Sequence, residues 1–190
     1  MSKPVAGRAA LLPVLGEVFR AHGYEGATLA LITEATGLGK GSLYHFFPGG
    51  KAQMAAEVLD EIGRWFELHI FAPLRASEDP DRAVAAMLKG IDDYFRSGRR
   101  VCLVGVIALG ASRDGFAAEV NDYFARWHDA LAAALRRAGL GAGVARRRAE
   151  DALMTIQGAL VLARARDDAG IFGRALTELK ARLLAPLASA

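Results

Sequence analysis

A chain of 190 residues that is 53% hydrophobic and 24% charged has the apolar content to offset ordering entropy, which excludes a disordered polymer and fits one domain or two small ones. A single cysteine excludes both an intrachain disulfide framework and a Cys-rich zinc module, and it fits a reducing cytoplasm. The net charge of +3 is mild, and supports nucleic-acid contact only where the fold gathers it on one face.

Apolar residues recur at helical spacing along nearly the whole chain, and no stretch alternates strictly enough for a two-faced strand. The runs Ala9–Leu15 and Val101–Leu109 are too short to span a bilayer, and no clean export signal precedes them. A soluble, cytoplasmic protein is therefore expected. Pro13 falls inside the first apolar stretch, so the first helix is expected to begin near it or to bend there.

From Phe19 to Lys51 the punctuation becomes dense. Thr28 is placed as the N-cap of a short helix, Gly37 supplies the turn, and Gly39 caps a second short helix running through Phe46. Leu29, Ile32, Leu38, Leu43 and Phe47 are spaced to bury the angle between the two, and Ala35 is small where they cross. Two short helices joined by a Gly turn describe a helix-turn-helix.

Downstream, Met54, Val58, Ile62, Phe66 and Ile70 line one face of a long helix that Pro73 is expected to stop. Asp79 and Pro80 mark another start, followed by a stripe of Val84, Met87, Ile91, Tyr94 and Phe95. Val101–Leu109, with no second strand to pair with, reads as a buried helix. Phe116, Val120, Tyr123, Phe124, Trp127, Leu131 and Leu135 form a five-turn stripe ended by Gly139 and Gly141. The last two helices run from about Val144 to Ala165 and from Ile171 to Leu184. The first of them carries small residues, among them Ala152, Gly158 and Ala159, that suit close helix approach. A partner subunit and ordinary packing within the chain are both open readings of that surface, and the expectation taken forward is contact with a symmetry mate.

The string F-x-x-H-G-Y-x-x-x-T-L-x-x-I-x-x-x-T-G-L-x-K-G-S-L-Y-H-F-F-P-G-G-K, from Phe19 to Lys51, resembles the DNA-binding domain of TetR/AcrR-family transcriptional repressors. Its Phe-Pro-Gly-Gly-Lys ending and the stretch Gly98-Arg-Arg-Val-Cys102-Leu-Val-Gly105 are similar to the LmrA/YxaF-like branch. The resemblance implies an all-α fold: a three-helix helix-turn-helix head, residues 1–50, followed by a larger ligand-binding and dimerisation body, residues 51–190. It also implies a homodimer formed through the last two helices, double-stranded operator DNA as partner, and a small apolar or aromatic effector. The sequence departs from the family pattern at Gly39, where Ser or Thr is common, and at Phe46, where many members have His or Tyr.

In that frame the helix Lys40–Phe46 lies in the major groove with its first residues nearest the bases. Lys40 reaches guanine or phosphate, Gly41 allows close backbone approach, Ser42 and His45 meet a base or phosphate, and Tyr44 meets phosphate. Thr28 and Lys51 stand at helix N-termini, where amides and the dipole attract phosphate. Within the body, Phe66, His69, Tyr94, Cys102, Phe124, Trp127, His128 and Gln157 are the candidate effector-binding residues: an aromatic lining with a few polar anchors.

Enzyme chemistry finds no foothold. His22, His45, His69 and His128 have no metal-site spacing, Gly37-Leu-Gly-Lys-Gly lacks the spacing of a phosphate loop, and no Gly-x-Ser-x-Gly elbow occurs. No catalytic residue, metal or cofactor is expected. The alternative function is a helical ligand-binding or scaffolding protein without operator binding.

Overall fold

The computed structural model describes residues 7–185. They form ten α-helices: α1 (Arg8–Gly26), α2 (Leu29–Thr36), α3 (Lys40–Phe46), α4 (Gly50–Phe66), α5 (Ala72–Ala76), α6 (Pro80–Tyr94), α7 (Leu103–Leu109), α8 (Ala117–Arg137), α9 (Ala142–Ala165) and α10 (Gly170–Leu184). A π-helical turn at Glu67–Phe71 joins α4 to α5, and a 3-10 turn at Ala111–Phe116 leads into α8. Among the described residues there is no strand, and no helix is long and apolar enough to cross a membrane. The chain is all-α, with a helix-turn-helix head and a helical body.

Two compact units divide the helices. The first holds the described residues up to Gly63 together with Leu103–Asn121; the second holds Arg64–Cys102 and the chain from Asp122 onward. In the first, α1 packs on α2, α7 and the 3-10 turn, and α2 on α3. Leu15, Phe19, Ile32, Leu43, Phe47 and Met54 are fully buried at its centre. In the second, α10 packs on α9 and α6, and α6 on α5 and the π turn. Its core runs through Phe66, Phe71, Ile91, Phe95, Trp127, Ile156 and Phe172.

Several expectations are corrected by packing and register. The first helix begins at Arg8 and carries Pro13 inside it; its backbone leaves helical geometry at Gly23 (φ 68°, ψ 176°). Pro73 does not stop the long apolar stripe. Instead the Ala72 amide donates to the Glu67 carbonyl, a five-residue register, and Pro73, which has no N–H to give, falls in the first turn of α5. Ala35 is exposed rather than packed at a helix crossing. On α9, Ala152 and Ala159 are buried against the subunit's own core, so of the three small residues expected to meet a symmetry mate only Gly158 faces outward.

Candidate nucleic-acid interface

Local capping sets the helical pair. Thr28 Oγ1 accepts from the Leu31 amide at 3.2 Å, the side-chain cap expected for α2. Gly37 closes that helix in left-handed geometry (φ 68°), and Ile32 is its buried anchor. Gly39 then opens α3 with no side-chain cap. Leu43 alone in α3 is fully buried, with Phe46 half-buried beside it. Lys40, Gly41, Ser42, Tyr44 and His45 are therefore turned outward, so one apolar residue anchors the helix and a polar face remains open. Tyr44 is 45% exposed despite its size.

Tyr44 lies against the start of α4. Gly50, the first residue of α4, has φ +64°, and a Cβ placed there would lie 3.4 Å from the Tyr44 ring and 3.9 Å from its hydroxyl. Only glycine takes that backbone at little cost. The phenol lies at the N-terminus of α4, where helix amides and the dipole favour an anion. The same N-terminus is tied down from below: the Gly49 amide donates to Gln53 Oε1 at 2.7 Å, and Gln53 Nε2 donates to Glu57 Oε1 at 2.9 Å. Glu57 in turn pairs with Arg8, whose guanidinium lies over the Phe47 ring.

The Lys51 side chain is engaged at the end of α1. Its ammonium donates to the carbonyls of Tyr24 (2.9 Å) and Glu25 (3.4 Å) at the end of α1, and sits 4.5 Å from the centre of the Tyr24 ring. This places a cation on two carbonyls just past the break in α1 at Gly23, and over an aromatic face. Tyr24 is itself held between Phe19 and Phe116. The Ser112 amide donates to Glu25 Oε1 at 2.7 Å. Hydrogen bonds from its own amide and from Ser112, with Lys51 nearby, hold the Glu25 carboxyl below the usual carboxylate range. The local sequence around Gly49 and Gln53 contains a capping signal, but the pairing of Lys51 with the end of α1 spans 27 positions and has no local signature.

The candidate effector residues all lie in the second unit, and only some are brought together. Phe66 and Trp127 are fully buried, 5.4 Å apart by ring centres, and Phe66 meets Tyr94 at 4.8 Å. Phe124 is half-buried, edge-on to Tyr123 at 5.0 Å. His69 is exposed, stacked on Trp65 with its Nδ1 2.8 Å from the Trp65 carbonyl oxygen. His128 is turned to Asp129 and the Arg146 carbonyl, and Cys102 is buried. The indole N–H of Trp127 and the amide nitrogen of Gln157 are buried without a hydrogen-bond partner among the described residues, a costly condition in an apolar interior. Residues missing from the sequence reading hold this cluster from one side: Arg126 and Arg75 both donate to Glu67 on the π turn.

Comparisons with known proteins agree with this geometry. Residues 16–58 match the tetR family of bacterial regulatory proteins, and residues 80–178 match the C-terminal domain of LmrA/YxaF-like transcriptional regulators. The chain is 27% identical over 159 residues to the HTH-type transcriptional regulator LmrA of Bacillus subtilis, covering 82% of this chain and 85% of that protein. Its fold is similar to that of a TetR transcriptional regulator from Legionella pneumophila, with a TM-score of 0.80 at 16% identity over 95% of this chain and 99% of the other. It is also similar to a cysteine mutant of the TetR-family regulator CifR complexed with 26-base-pair double-strand operator DNA, with a TM-score of 0.71 at 24% identity over 93% and 98% of the two chains. The protein thus belongs to the TetR family of DNA-binding transcriptional regulators, in the group whose C-terminal domain is LmrA/YxaF-like.

Proposed function

We propose that the protein is a cytoplasmic, homodimeric repressor that leaves its operator when a small apolar or aromatic molecule binds the body. The observation that carries the DNA-binding part is the open polar face of α3, held by a single buried residue, Leu43. Lys40, Gly41, Ser42 and His45 then meet base edges or phosphates in the major groove, and Tyr44 and Thr28 meet phosphates. Lys51 contributes through its backbone position in the first turn of α4 while its ammonium holds α1. Residues 1–50 are the DNA-binding part in this reading, and 51–190 the effector-binding and dimerising part.

Dimerisation through α9 and α10 is supported by Met154, Gly158, Val161 and Leu162, exposed positions spaced three and four apart along α9. Such an apolar stripe is what a self-complementary interface uses. Effector binding is supported by the Phe66–Tyr94–Trp127 aromatic cluster and the unpartnered donors of Trp127 and Gln157, with His69, Cys102, Phe124 and His128 as the remaining candidates. Helix α4 starts at Gly50, against Tyr44, and ends at Phe66, so it is the lever by which an effector alters the head. A coupling of about 1–3 kcal/mol weakens operator binding roughly 5–150-fold.

The test is a fluorescence-anisotropy titration of duplexes tiled across the DNA flanking the gene, with sedimentation on the same sample. A dimer that prefers one duplex with two half-sites about 34–36 Å apart is the expected result. A monomer with no preference over random duplex would falsify the reading.

A further inference from the structure

A cleft of about 430 Å³ in the second unit lies apart from the aromatic cluster and has no place in the reading above. One wall is the loop after α6, with Gly98 and Arg99; the other is the last turn of α9 and the start of α10, with Arg164, Asp167, Asp168 and Gly170. The walls are locked together. Gly98 has φ +88°, and a Cβ there would come within 2.6 Å of Phe172 Cβ and 3.1 Å of the Ala169 carbonyl, so only glycine lets the loop press on α10. Arg96, Ser97 and Asp167 are the non-glycine residues with positive φ among the described residues, at 51°, 51° and 49°. All three stand in the two segments that frame this cleft, and held strain of this kind gathers at binding sites.

The charges of the cleft are unequally occupied. Asp168 is spent on structure: Oδ1 accepts from the Gly170 amide at 2.9 Å and Oδ2 from Arg174 at 3.0 Å. The guanidinium groups of Arg99 and Arg164 have no hydrogen-bond or ion-pair partner among the described residues, and both residues are exposed. Against them stands one uncommitted carboxylate, Asp167. With Asp168 neutralised by Arg174, the remaining balance is two positive charges against one negative. Arginine presents a planar fork of donors suited to bidentate binding of an oxyanion, and the volume is within the range of small-molecule sites.

We infer that this cleft binds a small organic anion through a carboxylate or phosphate group held by Arg99 and Arg164. The ligand is polar, unlike the effector of the aromatic interior, so the site is a second input to the same body. Asp167 restricts the choice, because it repels a compact dianion and accepts from a hydroxyl or ammonium on a larger one.

The experiment is isothermal titration calorimetry of the full-length, DNA-free protein with citrate, which carries a hydroxyl, and with phosphoserine, which carries an ammonium, at fixed ionic strength. The expected result is binding of one anion per chain. Arg99→Gln and Arg164→Gln should each weaken it about tenfold or more, and Asp167→Asn should tighten it a few-fold. Circular dichroism on each variant checks that the fold is kept, and Asp167→Asn is an independent reading because it moves affinity in the opposite direction. Absence of binding by either anion at millimolar concentration overturns the proposal, as does equal binding by wild type and both arginine variants. Weaker binding of random duplex DNA by Arg99→Gln, with anion binding unchanged, also overturns it and assigns the arginines to nucleic acid. Since no operator is used in the calorimetry, failure here is distinct from failure of the repressor reading.

Discussion

The Lys51 ammonium lies 2.9 Å from the carbonyl oxygen of Tyr24 and 4.5 Å from the centre of the same residue's ring. One cation thus closes the end of α1 and ties it to the start of α4, directly after the Gly50–Tyr44 contact. Lys51→Ala removes a charged hydrogen bond and should lower unfolding stability by about 1–3 kcal/mol. Because its amide stays in place, the slope of log K against log salt for DNA should hardly change. Lys40→Ala should do the reverse, leaving stability intact and reducing that slope by roughly one. Urea unfolding and anisotropy at several salt concentrations separate the two effects.

Gly50→Ala places a methyl group 3.4 Å from the Tyr44 ring at a φ of +64°. A cost of about 1–3 kcal/mol in stability is expected from the backbone alone, with loss of DNA affinity as the strained start of α4 shifts beneath the phenol. Tyr44→Phe keeps the packing and removes only the hydroxyl, so it should weaken operator and random duplex by similar factors at unchanged stability. A Tyr44→Phe protein with wild-type affinity for both duplexes would remove the phosphate assignment.

The two faces of α9 should respond in opposite ways. Val161→Asp puts a charge on the outward stripe and should yield monomers in sedimentation while the helical signal persists. Ala152→Leu overpacks a site with no exposure and should cost about 1–3 kcal/mol of stability without acting first on association. Val161→Asp remaining dimeric at micromolar concentration would place the interface elsewhere.

Acid should loosen the second unit through Glu67. Burial raises the pKa of its carboxyl, but the hydrogen bonds from Arg126 and Arg75 outweigh it and hold the value below the ordinary 4.5. A depressed pKa means the unfolded chain binds the proton more readily, so the contribution to stability is full above pH 4.5 and is lost as pH falls through the folded value. Glu67→Gln should flatten the fall of the unfolding midpoint below that pH and lower stability at neutrality. Identical pH profiles for the two proteins would show the cluster to be energetically silent.

Phe124→Ala opens the half-buried edge of the aromatic cluster beside Tyr123. Effector-free DNA affinity should stay near wild type, while the effector concentration that releases operator should shift. Release of both proteins at one concentration would put the effector away from Phe124.

Much of this protein is legible without coordinates because its signals are local. Thr28 and Gly37 specify where α2 starts and stops, Gly39 marks the start of α3, and Asp79 with Pro80 marks α6, since caps act over one helical turn. The helical stripe from Phe116 to Leu135 likewise identifies α8, because burial on one face imposes a 3.6-residue period. Even the outward residues of α3 follow from Leu43 being its apolar anchor. Other features were decided only by the tertiary structure. Ala152 and Gly158 are both small residues on α9, yet one is buried and the other exposed. Composition cannot tell a face packed inward from one left open. The partner of Lys51 lies 27 residues away, and Arg126 reaches Glu67 across 59. Long flexible cations carry no periodic signal of where they end, so the carbonyl or carboxylate that receives each one is set by how the helices cross. Pro73 is the same lesson in the backbone: its effect depended on whether the turn before it closed over four residues or five.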